Sequence, residues 1–143
     1  PSLVNVGALL FVVTFIYAVL GMSLFCRVKH QENISDDRNF ESFGNAMLLL
    51  FQCLTGDGWS AFMYDCMVDE ARGCDPSAPG GSDCGSRLAL PYFISYTIVA
   101  TFVFINLVVA VILENFTALG SLNAELVSTH DIAVPNPHPH PHP

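Results

Sequence analysis

Two long uncharged stretches, Leu3 to Phe25 and Leu88 to Leu113, dominate the alternation of apolar and polar positions, and neither holds an Asp, Glu, Lys or Arg. A helix needs about 20 apolar residues to cross roughly 30 Å of hydrocarbon at about 1.5 Å per residue. Both stretches therefore predict membrane-spanning helices. Core helices of soluble proteins at this length usually carry some charge, and the first stretch lacks the basic leader and short core of a secretory signal. It is read as part of the mature protein.

Between the two stretches the pattern changes period. Phe40, Phe43, Ala46, Met47, Leu50, Phe51 and Leu54 recur at helical spacing. A helix over Phe40 to Leu54 is too short to span a bilayer. Flanked by two spans it predicts a re-entrant segment, whose end must be satisfied by protein or a water-filled cavity; a helix lying on the membrane surface has the same periodicity. Ser60 to Glu70 predicts a second short helix with Ser60 as its cap. Arg72 to Ser86, rich in Gly, Pro, Ser and Asp, predicts a loop.

The expected fold is an all-α membrane protein: two transmembrane helices with a re-entrant pore helix, filter and second pore helix between them, assembling as a tetramer or pseudotetramer. Residues 1–26 are the outer transmembrane helix, 27–87 the extracellular loops with the pore helices, 88–117 the inner helix and 118–143 a cytoplasmic tail. From Pro135 that tail alternates Pro and His. His138, His140 and His142 suggest metal binding, but a proline at every second residue presents no preformed site, and the tail is read as a disordered or expression-derived end.

Composition agrees with the pattern. The chain is 52% hydrophobic and 13% charged, where soluble domains run near a quarter charged. All five Lys and Arg and ten of the thirteen acidic residues lie between Cys26 and Arg87, a net charge of −5 there. Such a surface gathers cations and disfavours nucleic acid. Arg27 and Lys29 follow the first helix on the side read as external, against the usual positive-inside bias.

The candidate chemistry centres on Thr55-Gly56-Asp57-Gly58-Trp59. Two glycines let the backbone bend and present carbonyls, the preceding helix aims its negative end at the loop, and Trp59 anchors it through packing and its indole N–H. One hairpin cannot enclose a pore, but four place a ring of carboxylates around an axis, the charged-ring design of cation channels. At about 4 Å and an effective dielectric of 20, each carboxylate attracts a unit charge by about 4 kcal/mol. A divalent ion doubles that attraction and also loses more hydration. Asn33-Ile34-Ser35 matches the N-glycosylation sequon, and Cys74 and Cys84, in an irregular loop read as extracellular, suit a disulfide. Cys26, Cys53 and Cys66 are left over. Asn106 is the strongly polar residue near the middle of the second span and reads either as interhelical glue or as pore-lining. No nucleophile-base or metal-ligand constellation stands out, so no enzyme is expected.

Further motifs extend the pattern: Asn39-Phe40-Glu41-Ser42-Phe43-Gly44-Asn45-Ala46-Met47 before the loop, Cys74-Asp75-Pro76 and Asp83-Cys84-Gly85-Ser86 after it, and Phe104 to Phe116 at the end of the second span. With the Thr-Gly-Asp-Gly-Trp loop, the chain resembles the pore module of voltage-gated sodium and calcium channels, most closely the fourth repeat of the four-repeat kind. The resemblance covers most of Pro1 to Thr117. It implies that Asp57 forms the high-field-strength cation site, that the carbonyls of Thr55 and Gly56 line the inner filter, and that Cys74 and Cys84 are the paired outer-loop cysteines. It also implies a gate around Val111 to Phe116, with Asn106, Val111 and Asn115 on the inner helix. Fourth repeats of animal sodium channels carry a small neutral residue at the position of Asp57, which moves the expectation toward calcium conduction. A sodium-selective or nonselective pore is the alternative, and a nonconducting assembly or regulatory subunit the alternative of another class. The implied partners are three further repeats or three identical subunits, voltage-sensor helices absent from this chain, and the lipid bilayer, in the plasma membrane. The ligand is a permeant calcium or sodium ion, and no cofactor is implied.

Overall fold

A computed structural model describes residues 2–133; the histidines of the Pro-His tail lie outside them. The elements are α1 Ser2–Phe25, α2 Phe43–Leu54, α3 Trp59–Asp65 and α4 Ala89–Ala133, with a 3-10 turn at Glu70–Arg72 between α3 and α4. No strand occurs among the described residues. Both α1 and α4 are long and apolar enough to cross a membrane. Leu107 closes one compact unit and Val108 opens a second.

The first unit is built around aromatic rings. Phe25 of α1 meets Phe40 at 5.5 Å between centroids and Tyr92 of α4 at 5.2 Å, while Tyr17 meets Tyr96 at 5.1 Å. Their polar tips are all used. Tyr92 donates its hydroxyl to the Tyr17 carbonyl at 2.6 Å, Tyr17 donates to Ser95 Oγ at 2.9 Å, and Tyr96 donates to the Leu50 carbonyl of α2 at 3.0 Å. A hydroxyl buried in apolar surroundings without a partner costs a few kcal/mol, so these bonds fix how the helices can seat. Interhelical polar contacts, one of the two roles expected of Asn106, fall here on tyrosines; Asn106 is exposed and makes no side-chain hydrogen bond among the described residues. Gly21 lies where α1 crosses this cluster, and a Cβ there would land on the Phe40 ring and the Tyr92 hydroxyl.

The expected boundaries of three helices shift. The helix expected from Phe40 begins at Phe43, because Ser42 is extended and its Oγ accepts from the Asn45 N–H at 3.2 Å; Phe40 instead turns its ring into the core, 1% exposed. The helix expected over Ser60 to Glu70 starts one residue earlier, with Gly58 and not Ser60 at the cap position, and stops at Asp65. Beyond it the Cys66 and Val68 carbonyls accept from the N–H groups of Ser86 and Gly85 at 2.9 and 2.8 Å, which draws the backbone out of the helical path. The inner helix expected to end at residue 117 continues to Ala133. Leu119, Leu122, Ala124, Glu125 and Leu126 favour helix and the next proline is Pro135, so the strongest single opposition to the extension is Gly120, at about 1 kcal/mol.

The outer loops are tied to one another. Cys74 and Cys84 form a disulfide with Cα atoms 5.0 Å apart. Lys29 reaches this hairpin twice, through its N–H to the Asp83 carbonyl at 2.9 Å and through Nζ to the Gly73 carbonyl at 2.6 Å.

Candidate functional site

The loop between α2 and α3 is closed by backbone chemistry at both ends. Past the C-cap Thr55, Gly56 takes φ 84°. Its N–H donates to the Cys53 carbonyl at 3.0 Å, and the Asp57 N–H donates to the Gln52 carbonyl at 3.4 Å. This pair of reversed bonds is the Schellman closure, which needs a left-handed residue at the position after the cap. Gly58, with φ 69°, then opens α3 and offers its carbonyl to the N–H groups of Ala61 and Phe62 at 3.0 and 3.1 Å. Both glycines of the Gly-Asp-Gly triplet are therefore set by backbone geometry, and a side chain at either would strain the turn.

Asp57 is exposed between them. One carboxylate oxygen, Oδ2, accepts from Gln52 Nε2 at 2.9 Å, which fixes the side chain against the last turn of α2. The carbonyls of Thr55 and Gly56 accept no hydrogen bond from the described residues, and the Thr55 hydroxyl is turned away to the Gln52 carbonyl at 2.6 Å. The loop thus presents a carboxylate and two unpaired carbonyls at the C-terminal, partially negative end of α2. Hard cations such as sodium and calcium are held by oxygen donors of this kind. Trp59 packs half-buried against the core, as an anchor would, though its indole N–H donates to none of the described residues.

The remaining sequence candidates are distributed. Thr55 to Trp59 come together as one loop, and Cys74 and Cys84 as one disulfide. Asn33 is half-buried, with its backbone N–H and Nδ2 both donated to Asp65 Oδ2, at 2.7 and 3.1 Å. Val111 and Asn115 belong to the second unit and are exposed there. Sequence reasoning missed Gln52 as the partner of Asp57. The signal available was a lone amide in the last turn of an otherwise apolar helix end. Asp65 lies within the stretch that predicts the second short helix, and nothing in its neighbours announces its partners.

Residues 1–123 match the family described as ion transport protein. Sodium channel protein type 3 subunit alpha of Mus musculus is 44% identical over 137 residues, which is 92% of this chain and 7% of that protein. Sodium channel protein type 2 subunit alpha of Homo sapiens is 43% identical over the same length and shares. The chain thus spans 7% of the length of these relatives. Among solved structures, the crystal structure of NavRh, a voltage-gated sodium channel, is similar with a TM-score of 0.54 at 24% identity, over 80% of this chain and 46% of that one; that likeness is one of fold.

Proposed function

Because the chain belongs to the ion transport protein family, we propose that it is a pore-forming repeat of a voltage-gated-type cation channel in the plasma membrane, with sodium as the ion carried past Asp57. It is a transport protein and not an enzyme. The single observation that carries the reading is the Gly56-Asp57-Gly58 loop: an exposed carboxylate, pinned by Gln52, beside two carbonyls that no protein donor occupies. Cations entering such a loop exchange part of their hydration for protein oxygens, and anions meet the negative end of α2.

The expectation of calcium conduction rested on an acid at Asp57, where fourth repeats of animal sodium channels carry a small neutral residue, and on the doubled attraction of a carboxylate ring for a divalent ion. Sodium is the better-supported reading, since the relatives are sodium channel alpha subunits. Calcium keeps a role as a blocker, because a divalent ion binds Asp57 more strongly than sodium does and leaves more slowly.

Assembly follows from what α2 leaves uncovered. Ala46, Leu49, Leu50, Cys53 and Leu54 are buried on one face, while Leu48 and Phe51 on the other are 65% and 62% exposed. Three further repeats or three identical subunits cover that face, close the ring around Asp57 and bring the voltage-sensor helices with them. In this arrangement Asn106, Val111 and Asn115 face the inner path and gate, and Asn33 with the Cys74–Cys84 hairpin lies outside the membrane, Asn33 as a glycan acceptor.

The reading is tested in the full-length channel expressed in cells. Sodium current should be blocked by external calcium, and Asp57→Asn should raise the half-blocking calcium concentration at least about tenfold, equivalent to about 1.4 kcal/mol. Unchanged block removes Asp57 from the pathway. No current from channels verified at the cell surface leaves the nonconducting subunit as the better description.

A further inference from the structure

We infer that Asp65 is a positioning residue for the filter, acting together with Arg72; the inference rests on the pore reading above. Asp65 is the last residue of α3 and is 2% exposed. A carboxylate at the C-terminal end of a helix opposes the helix dipole, and burying it removes its hydration. Neither the helix nor the core gains from an acid at this place, so its role lies in what it holds.

It holds two separate stretches. Oδ2 accepts from the Asn33 N–H at 2.7 Å, Asn33 Nδ2 at 3.1 Å and the Ile34 N–H at 3.2 Å, all from the loop that follows α1. Oδ1 accepts from Arg72 Nη2 at 3.0 Å. Arg72 in turn donates Nη1 to the Tyr64 carbonyl at 2.7 Å and stacks on the Tyr64 ring with Cζ 3.9 Å from the centroid. The outer end of α3 is thereby fixed both to the loop after α1 and to the 3-10 turn.

The inner end of the same helix is Trp59, two residues after Asp57. A seven-residue helix is a short rigid rod, so a shift at Asp65 is carried to Gly58 and Asp57. The attraction of a ring of carboxylates for a cation changes with their separation. Loss of the clamp therefore alters which ion is preferred, and does more than lower the number of folded channels.

The test is the calcium-to-sodium permeability ratio of the full-length channel, from reversal potentials with sodium inside and calcium outside; this ratio does not depend on channel number. Asp65→Asn and Arg72→Gln should each change it at least about threefold, and in the same direction, since both release α3. A long-range surface-charge effect would move the two in opposite directions, because they remove opposite charges, and would shrink at high ionic strength; that result overturns the inference. Glu70→Gln, an exposed acid in the same turn, should leave the ratio unchanged. Fewer surface channels with an unaltered ratio in Asp65→Asn also overturns it. Should Asp65→Asn not reach the surface, Arg72→Gln decides, since it leaves the three donors on Oδ2 in place. A wild-type channel that passes no current would instead sink the pore reading itself.

Discussion

Asp57 is held by a side chain five positions behind it. The Schellman closure reverses the backbone after Thr55 and so returns Asp57 to the last turn of α2, where Gln52 Nε2 meets it at 2.9 Å. A hydrogen bond to a charged group contributes about 1.5–3 kcal/mol, most of it lost to water competition where the pair is exposed. Gln52→Ala should accordingly raise the half-blocking calcium concentration by about two- to tenfold, less than Asp57→Asn does; the measurement is calcium block of sodium current, and an effect larger than that of Asp57→Asn would mean Gln52 acts elsewhere. The carboxylate was legible in the sequence because a lone acid between two glycines, flanked by apolar helical runs, has few other uses. Gln52 and Asp65 were not, because the partners of each are chosen by a turn or a distant loop and leave no periodic mark. Cys66, next to Asp65, adds a related contrast: burial and then the neighbouring carboxylate push its thiol up. Cys26 is exposed. The thiolate is the reactive form, so a maleimide applied to the folded protein at neutral pH should label Cys26 and spare Cys66, read by mass spectrometry of the digested protein.

Among the elements, the first span and the start of the second were legible almost to the residue because length without charge is a strong constraint, while the second helix runs sixteen residues past its expected end. The short elements were less so. Phe40 keeps the helical spacing of α2 yet sits outside it, since an extended Ser42 that caps with its own hydroxyl ends the pattern two residues later. Ser60 looked like a cap, but Gly58 in a left-handed conformation supplies the entry to α3 without a side chain. Packing between elements offers a matched test on α1. A Cβ at Gly7 meets nothing within 4 Å, whereas one at Gly21 strikes Phe40 and Tyr92. Gly21→Ala should cost about 1–3 kcal/mol through overpacking and lower the thermal midpoint of the purified protein in detergent. Gly7→Ala, gaining helix propensity of up to about 1 kcal/mol, should not lower it.

For the whole molecule, the apolar surface left bare is the dominant fact. Phe11 on α1 is 58% exposed and Phe102 on α4 is 69% exposed. Each Å² of such surface withdrawn from water is worth about 25 cal/mol, and in the proposed channel lipid and neighbouring repeats cover it. Phe51→Asp places a charge on the uncovered face of α2, away from Gln52 and the core. It should remove the monodisperse peak of the assembled channel in size-exclusion chromatography, while Glu125→Lys, on an exposed part of α4, should keep it. Assembly of this kind was readable only in outline. The sequence marks that the apolar faces exist, and the partners proposed for them lie outside this chain.

If the hairpin closed by Cys74 and Cys84 lies outside the membrane, as proposed, it has a consequence under proteolysis. Its tip, from Ser77 to Ser82, is largely exposed, while both ends are anchored by the disulfide and by the Asp75 N–H bonded to Asp83 Oδ1 at 2.6 Å. Exposed loop tips are where chains are cut and where cuts are tolerated. A protease site placed between Pro79 and Gly81 should yield, after cleavage, a protein that migrates as one band without reductant and as two with it. Sodium current should persist in the nicked channel and fall only when the disulfide is reduced as well.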